Sequence, residues 1–308
     1  MIRMIQKRNL HWFKLLFVWK GSVLPRLLPR LIVLFVLSIA VVYFKGTLFN
    51  HKISLNPAPF TLFGIALALF LGFRNSASYD RFWEGRKLWG SLLNTTRSLA
   101  RQCITLSGYK SPSIETDTFI NYLIAFTYAL KNQLRGTDAS SDMKKWLPDE
   151  LAQKLSSVKY KPMIILSEAA KWARDAKEKG NMDSIILTAF DENFNELSNI
   201  VGGCERISST PIPFTYKIML HRTVYFYCLL LPFGFVDSIG WMTPIIVLFI
   251  AYTFVALEAI ADEIEEPFGV EPNDLALNGM SDMIRNTLLE ISGKQIDISP
   301  AVDLYIAD

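Results

Sequence analysis

The 308-residue sequence has little of what soluble enzymes use for chemistry: three cysteines and three histidines. Cys103, Cys204 and Cys228 are far apart and odd in number, which excludes a disulfide framework or a zinc site built from cysteine pairs. His11, His51 and His221 are isolated, with no partner at ligand spacing. Ser208 and Ser209 have no neighbouring base, and Gly202-Gly203 precedes no phosphate-loop pattern. The chain therefore does not read as an enzyme, and neither a cofactor nor a metal is expected. The net charge of +3 is too small to argue for nucleic acid. The basic residues also form no stripe interleaved with aromatics. Internal repeats and low-complexity tracts are missing. The stretch before Pro25 lacks the compact charge, apolar run and cleavage site of a signal peptide.

What is present is apolar. Half of the residues (51%) are hydrophobic and 20% are charged, so apolar runs must alternate with ordinary polar stretches. A spanning helix needs about 20 mostly apolar residues, slightly fewer inside a bundle. Four candidates appear: residues 31–44 with Leu27 and Leu28 before them, 57–73, 215–236, and 241–257. Asn56 followed by Pro57 is a good helix start, a capping side chain before a residue pre-set to helical φ. The third and fourth candidates are separated by only a few residues and must form an antiparallel hairpin.

Orientation follows from the placement of lysine and arginine. Before the first span stand Arg3, Lys7, Arg8, Lys14, Lys20, Arg26 and Arg30, and after the second come Arg74, Arg81, Arg86 and Lys87. The connection between spans one and two carries only Lys45 and Lys52, and the later hairpin carries none. Both termini and residues 74–210 are thus expected on the cytoplasmic side of the cell inner (plasma) membrane.

Residues 74–210 read as helical, with apolar residues at three- and four-residue spacing in 82–99, 149–158, 162–177 and 184–199. Turn-rich breaks fall at 107–113 and 136–141. The stretch 5–19 mixes basic residues with Trp12, Phe13, Phe17 and Trp19, and fits either a helix lying on the membrane or one packed on the cytoplasmic bundle. The expected organisation is an N-terminal segment 1–24, spans one and two in 25–73, a helical cytoplasmic domain 74–210, spans three and four in 211–260, and a C-terminal segment 261–308.

The second span carries two rows. Gly64, Ala68 and Gly72 recur every four residues as a small-residue stripe, and Ile65, Leu69 and Phe73 form a bulky stripe beside it. A step of four turns about 400°, so both stripes drift only slowly around the helix. In a ring of subunits the flat face would pack helix on helix, and the bulky face would project into a central hole as an apolar constriction. Periodicity alone also fits ordinary small-residue packing within one subunit. Two absences bear on the choice. There is no duplicated half or pair of interrupted helices, as secondary transporters have. Nor does any span carry an acidic residue at its middle, where a coupled carrier would place one.

After the second span comes Phe73-Arg74-Asn75-Ser76-Ala77-Ser78-Tyr79-Asp80-Arg81-Phe82-Trp83-Glu84, then Arg86 and Leu88-Trp89-Gly90. With Gly203-Cys204-Glu205-Arg206-Ile207, Thr210-Pro211-Ile212-Pro213-Phe214, His221-Arg222-Thr223 and Pro267-Phe268-Gly269, this resembles the bestrophin family, in particular its bacterial branch. The resemblance implies an all-α polytopic membrane protein with four transmembrane helices per subunit and a helical cytoplasmic domain. Five copies would form a homopentamer in the lipid bilayer around one central pore for monovalent ions. It places the pore neck on Ile65, Leu69 and Phe73, the bulky stripe already found. It places a cytoplasmic aperture at Ile185, with Ile186 as the alternative, and a helix break at Gly202-Gly203.

The resemblance also has a departure. Vertebrate members carry a dense acidic cluster after Pro-Phe-Gly that helps to hold calcium. Here the stretch is Val270-Glu271-Pro272-Asn273-Asp274, too few oxygen ligands for a site that needs six to eight. Calcium activation is not expected. Glu258, Asp262, Glu263, Glu265 and Glu266 read as a solvated helix end rather than a metal site. The bacterial branch and this acidic run favour a cation such as sodium. A chloride channel of the same architecture is the alternative, and a membrane-anchored scaffold or receptor is a reading of another class.

Overall fold

A computed structural model of the chain describes residues 12–15, 18–19, 21–49, 51–53 and 55–296. Most of stretch 5–19, where a surface helix was an open reading, lies outside them; within it only α1 (Trp12–Leu15) is seen. The remaining helices are α2 (Leu24–Tyr43), α3 (Pro57–Thr105), α4 (Ile114–Arg135), α5 (Ser140–Trp146), α6 (Asp149–Ser156), α7 (Lys161–Glu178), α8 (Ser184–Ser209), α9 (Phe214–Ile239), α10 (Thr243–Glu265) and α11 (Leu277–Ile291). A two-strand hairpin of β1 (Thr47–Leu48) and β2 (His51–Lys52) lies between α2 and α3, too short to show as alternation in the sequence.

Among the described residues, one compact unit comprises those up to Phe82 together with Pro211–Glu266. The other comprises Trp83–Thr210 together with those from Pro267. The expected boundary after residue 73 thus falls inside the continuous helix α3. The C-terminal stretch 261–308, expected as a segment of its own, divides at Pro267. The cause is α11, which buries Leu277, Met280, Ile284 and Leu288 and packs on α4.

In the first unit α10 lies along both α2 and α9. Their shared core contains Leu27, Leu31, Leu34, Val224, Leu231, Val247, Ala251 and Val255, joined by Leu67 and Leu71 of α3. Three described stretches are long and apolar enough to cross a membrane: Leu24–Tyr43, Pro57–Thr105 and Phe214–Glu265. The third is α9 and α10, divided by a 3-10 turn at Gly240–Met242. Gly240 has φ +52°, a left-handed conformation that costs glycine least. Pro244 then restarts the helix in its first turn, where a missing N–H costs nothing. At the start of α3, Asn56 caps as expected: its Oδ1 accepts from the Ala58 N–H at 2.9 Å. A helix of 49 residues is about 74 Å long at 1.5 Å per residue. That is more than twice the hydrocarbon core of about 30 Å.

In the second unit the central helix is α4, buried along most of its length and flanked by α5, α7, α8 and α11. Ser113 and Thr116 start it with a reciprocal capping box, and Gly136 ends it in the left-handed conformation. Phe119, Trp172, Phe190 and Phe194 form an aromatic cluster with ring centroids 4.4–6.3 Å apart. Helix α8 runs unbroken through Gly202-Gly203, so the helix break expected there does not occur. Gly203 serves close approach instead: a Cβ would lie 2.9 Å from both Leu88 methyl groups.

Candidate functional site

The first half of α3 separates its apolar residues by face. Leu67 and Leu71 are buried (2% and 0% exposed), whereas Ile65, Leu69 and Phe73 are 57%, 58% and 67% exposed. The buried row points into the core shared with α2, α9 and α10. The bulky stripe is therefore not used by packing within the chain. Three large apolar side chains left uncovered at four-residue spacing need a partner surface or an apolar medium.

The small-residue stripe behaves differently along its length. At Gly64 an added Cβ would meet Tyr227 Oη at 2.6 Å, so this glycine admits a tyrosine of α9. Tyr227 Oη donates to the Phe60 carbonyl at 3.2 Å, fixing the contact. Gly72 has nothing within 4 Å, and Ala68 is exposed. Packing within one chain thus accounts for Gly64 and leaves Ala68 and Gly72 open. Tyr227 was not singled out from the sequence; its one signal is a polar tip within an apolar helix.

The acidic run is not a solvated helix end. Glu258, Glu263 and Glu265 are buried; Glu263 and Glu265 are met by cations from other helices, and Glu258 by an imidazole. Arg74, completely buried at the end of the apolar stretch of α3, pairs with Asp262 and lies 3.3 Å from Glu265. Lys217 reaches Asp262 at 2.8 Å, Arg26 reaches Glu263 at 3.6 Å, and His221 Nδ1 is 2.7 Å from Glu258 Oε1. Burying these carboxylates without partners would be costly, and pairing is how a packed helix end tolerates them. Only Glu266 of the run is exposed. His221, isolated in the sequence, is thereby drawn into the knot. Asn75 adds an uncharged tie, donating to the carbonyls of Leu71 and Leu257 at 2.9 and 3.1 Å.

In the second unit Ile185 stands in the first turn of α8 and is 82% exposed. The turn is capped by Asp183, whose Oδ1 accepts from the Ile186 N–H at 2.8 Å. Ile186 is half-buried, so of the two isoleucines Ile185 presents itself outward. Trp89 is fully buried and Trp83 half exposed; Glu84 pairs with Arg206 of α8. Arg81, in the first unit, donates from Nε to the Glu265 carbonyl at 2.9 Å. Cys204 is buried, and burial, followed by the charges of Glu205 and Glu84, pushes its thiol up to about 12. It is therefore protonated and unreactive at neutral pH. In the stretch 270–274, Asp274 Oδ2 accepts from the Glu271 N–H at 2.8 Å. No group of three or more metal-ligating side chains occurs among the described residues.

Long apolar helices joined to a helical unit, with a row of large apolar side chains left open on one of them, define a polytopic helical membrane protein. The chain belongs to the bestrophin family: the profile described as Bacterial/Fungal Bestrophin protein matches residues 3–290. It is similar to a voltage-dependent anion channel-forming protein of Ralstonia nicotianae, 48% identical over 94% of this chain and 95% of the relative. A voltage-dependent anion channel-forming protein of Salmonella typhi is 38% identical, with 95% of each chain covered. Among solved structures, a bacterial bestrophin homologue from Klebsiella pneumoniae matches with a TM-score of 0.82 and 38% identity. That match covers 88% of this chain and 100% of the other.

Proposed function

We propose that the protein is the subunit of a passive channel for small monovalent ions. Five copies surround one pore in the cell inner membrane. Each contributes four spans, α2, the first part of α3, α9 and α10, with both termini cytoplasmic. The neck is lined by Ile65, Leu69 and Phe73, and the cytoplasmic aperture by Ile185. Ala68 and Gly72 lie beside the pore, where a neighbouring copy of α3 can approach closely. The observation that carries this reading is the contrast between exposed Ile65, Leu69 and Phe73 and buried Leu67 and Leu71 on one helix. Rings of such side chains repel water, so the neck conducts when wetted and blocks when dry. The names of the relatives, channel-forming proteins, support conduction.

The sign of the permeant ion is a separate matter. A cation was expected partly because of the acidic run. Arg26, Arg74 and Lys217 offset three of its five carboxylates and the His221 ring contacts a fourth, so the run supplies less negative field than its composition suggests. The printed names of the relatives speak for an anion. An apolar neck does not choose between charges, and the choice rests on fields at the two vestibules. Calcium activation is not proposed, because Asp274 is engaged with its own loop and Glu271 and Asn273 add few ligands.

The test is flux from liposomes holding the purified protein, with sodium, potassium and chloride gradients applied separately, with and without calcium. Flux that rises when Ile65, Leu69 and Phe73 are all changed to Ala supports the apolar neck. Unchanged flux in that assembled variant sinks the neck assignment. Chloride flux without cation flux fixes the sign as anionic, and cation flux alone does the reverse. No flux from folded, oligomeric protein moves the function to a membrane-anchored scaffold.

A further inference from the structure

The first unit contains a cavity of about 270 Å³ whose wall includes Arg26, Arg30, His221, Glu258 and Asp262. Helices α2, α9 and α10 supply these groups, and the wall is tied together. Arg30 Nη1 donates to Tyr225 Oη at 2.6 Å, with its guanidinium 5.8 Å from that ring's centroid. The Tyr225 ring lies 4.5 Å from the His221 ring, and His221 reaches Glu258.

The charges do not cancel evenly. Glu258 has His221, Asp262 has Arg74 and Lys217, and Glu263 has Arg26. Arg30 has only a neutral phenol, and no carboxylate is paired with it among the described residues. A guanidinium has five N–H donors in a planar fork, and one hydrogen bond leaves most of them available. On the same helix Leu28, Ile32 and Val33 are exposed, so apolar surface flanks this cation.

We propose that this cavity binds the phosphodiester headgroup of an anionic membrane lipid. Arg30 makes the charged contact, and the acyl chains lie along Leu28, Ile32 and Val33. A phosphate oxygen pair matches the guanidinium fork better than a single halide does. The adjoining apolar face suits a ligand with a tail and does nothing for a free ion. Positive charge before the first span also puts Arg30 at the leaflet whose anionic lipids attract basic groups. The proposal rests on reading α2 as a span, but not on conduction.

The test is native mass spectrometry of the full-length protein in neutral detergent, titrated with phosphatidylglycerol, phosphatidylcholine or inorganic phosphate. The wild type should retain phosphatidylglycerol in preference to phosphatidylcholine. Arg30→Ala should weaken that retention about tenfold, the loss expected for one charge-assisted hydrogen-bonded contact. Arg222→Ala, on α9 and also exposed, should leave it unchanged. Equal retention by wild type and Arg30→Ala overturns the site. An equal loss in Arg222→Ala also overturns it, by reducing the effect to general surface charge. Displacement of the lipid by inorganic phosphate at similar concentration overturns the lipid assignment in favour of a free-anion site. If the alanine variant does not fold, Arg30→Gln carries the same outcomes, since it removes the charge and keeps a polar chain. Lipid retention is read by mass, so its failure is distinct from a failure of flux.

Discussion

The two ends of α3 treat the same kinds of side chain in opposite ways. Before Trp83, Leu62, Phe63, Ile65, Leu69, Phe70 and Phe73 are exposed and only Leu67 and Leu71 of the large apolar residues are buried. From Trp83 onward, Trp89, Leu92, Leu99 and Cys103 are completely buried. Water tolerates single exposed apolar groups but not a helix covered with them. The first end is therefore suited to an apolar medium or a partner surface, and the second to a packed helical bundle. One uninterrupted helix serves both because helix formation satisfies its backbone groups in either medium.

This contrast can be broken most severely through the buried groups. Trp89→Ala should cost about 3–5 kcal/mol, the usual range for deleting a core aromatic. Arg74→Ala should cost a similar amount, about 3–5 kcal/mol, because it removes the buried cation beside Glu265 and leaves Lys217 alone to serve Asp262 and Glu265. Thermal unfolding of the detergent-solubilised protein reads both, and a loss under about 1 kcal/mol in either would contradict the burial seen here.

Glycines sharpen the comparison at intermediate size. Gly203→Ala pushes a methyl into Leu88 and should destabilise by about 1–3 kcal/mol. Gly72→Ala meets nothing within its own chain and should stabilise the helix by about 0.5–1 kcal/mol. A Gly72→Ala protein that loses its oligomeric state on sizing, while its subunit remains folded, would locate the missing neighbour at this face.

The smallest stability effects belong to the exposed row. Leu69→Ala and Ile185→Ala should each change unfolding by less than about 0.5 kcal/mol, as open surface positions do, yet both should alter single-channel current. A large loss of stability with unchanged current would place these residues in a core. Cys204 offers a check on the bundle alone. Its raised thiol should resist maleimide at pH 8 in the folded protein and react on unfolding.

Much of this was legible in the sequence. Asn56-Pro57 marks the start of α3, and the breaks near 107–113 and 136–141 separate α3 from α4 and α4 from α5. Periodicity located the two stripes, because residues four apart share a face whatever surrounds them. It could not tell which stripe faces the core, since Leu67 and Leu69 are the same residue with opposite exposures. Pairing across long sequence distances was also hidden. Arg74 meets Glu265 from 191 positions away, so the acidic run read as solvent-facing. At Gly202-Gly203 the helix break that the resemblance implied does not occur, and the reason lies in tertiary packing. Glycine weakens a helix, but Leu88 needs the space, and tertiary packing overrides the propensity.

The ion knot around Arg74 differs from Lys52–Asp237 in one further respect. Both side chains of the latter pair are open to solvent, whereas those of Arg74 and Glu265 are 0% and 5% exposed. Dissolved counter-ions reach the first pair and not the second. Raising salt from 0.1 to 1 M shortens the screening length from about 10 to about 3 Å, which should loosen the surface link near the β-hairpin. The Arg74–Glu265 contact at the end of the apolar stretch keeps its strength, and this anchorage of α3 to α10 becomes nearly indifferent to the ionic strength of the medium whose ions the protein is proposed to pass.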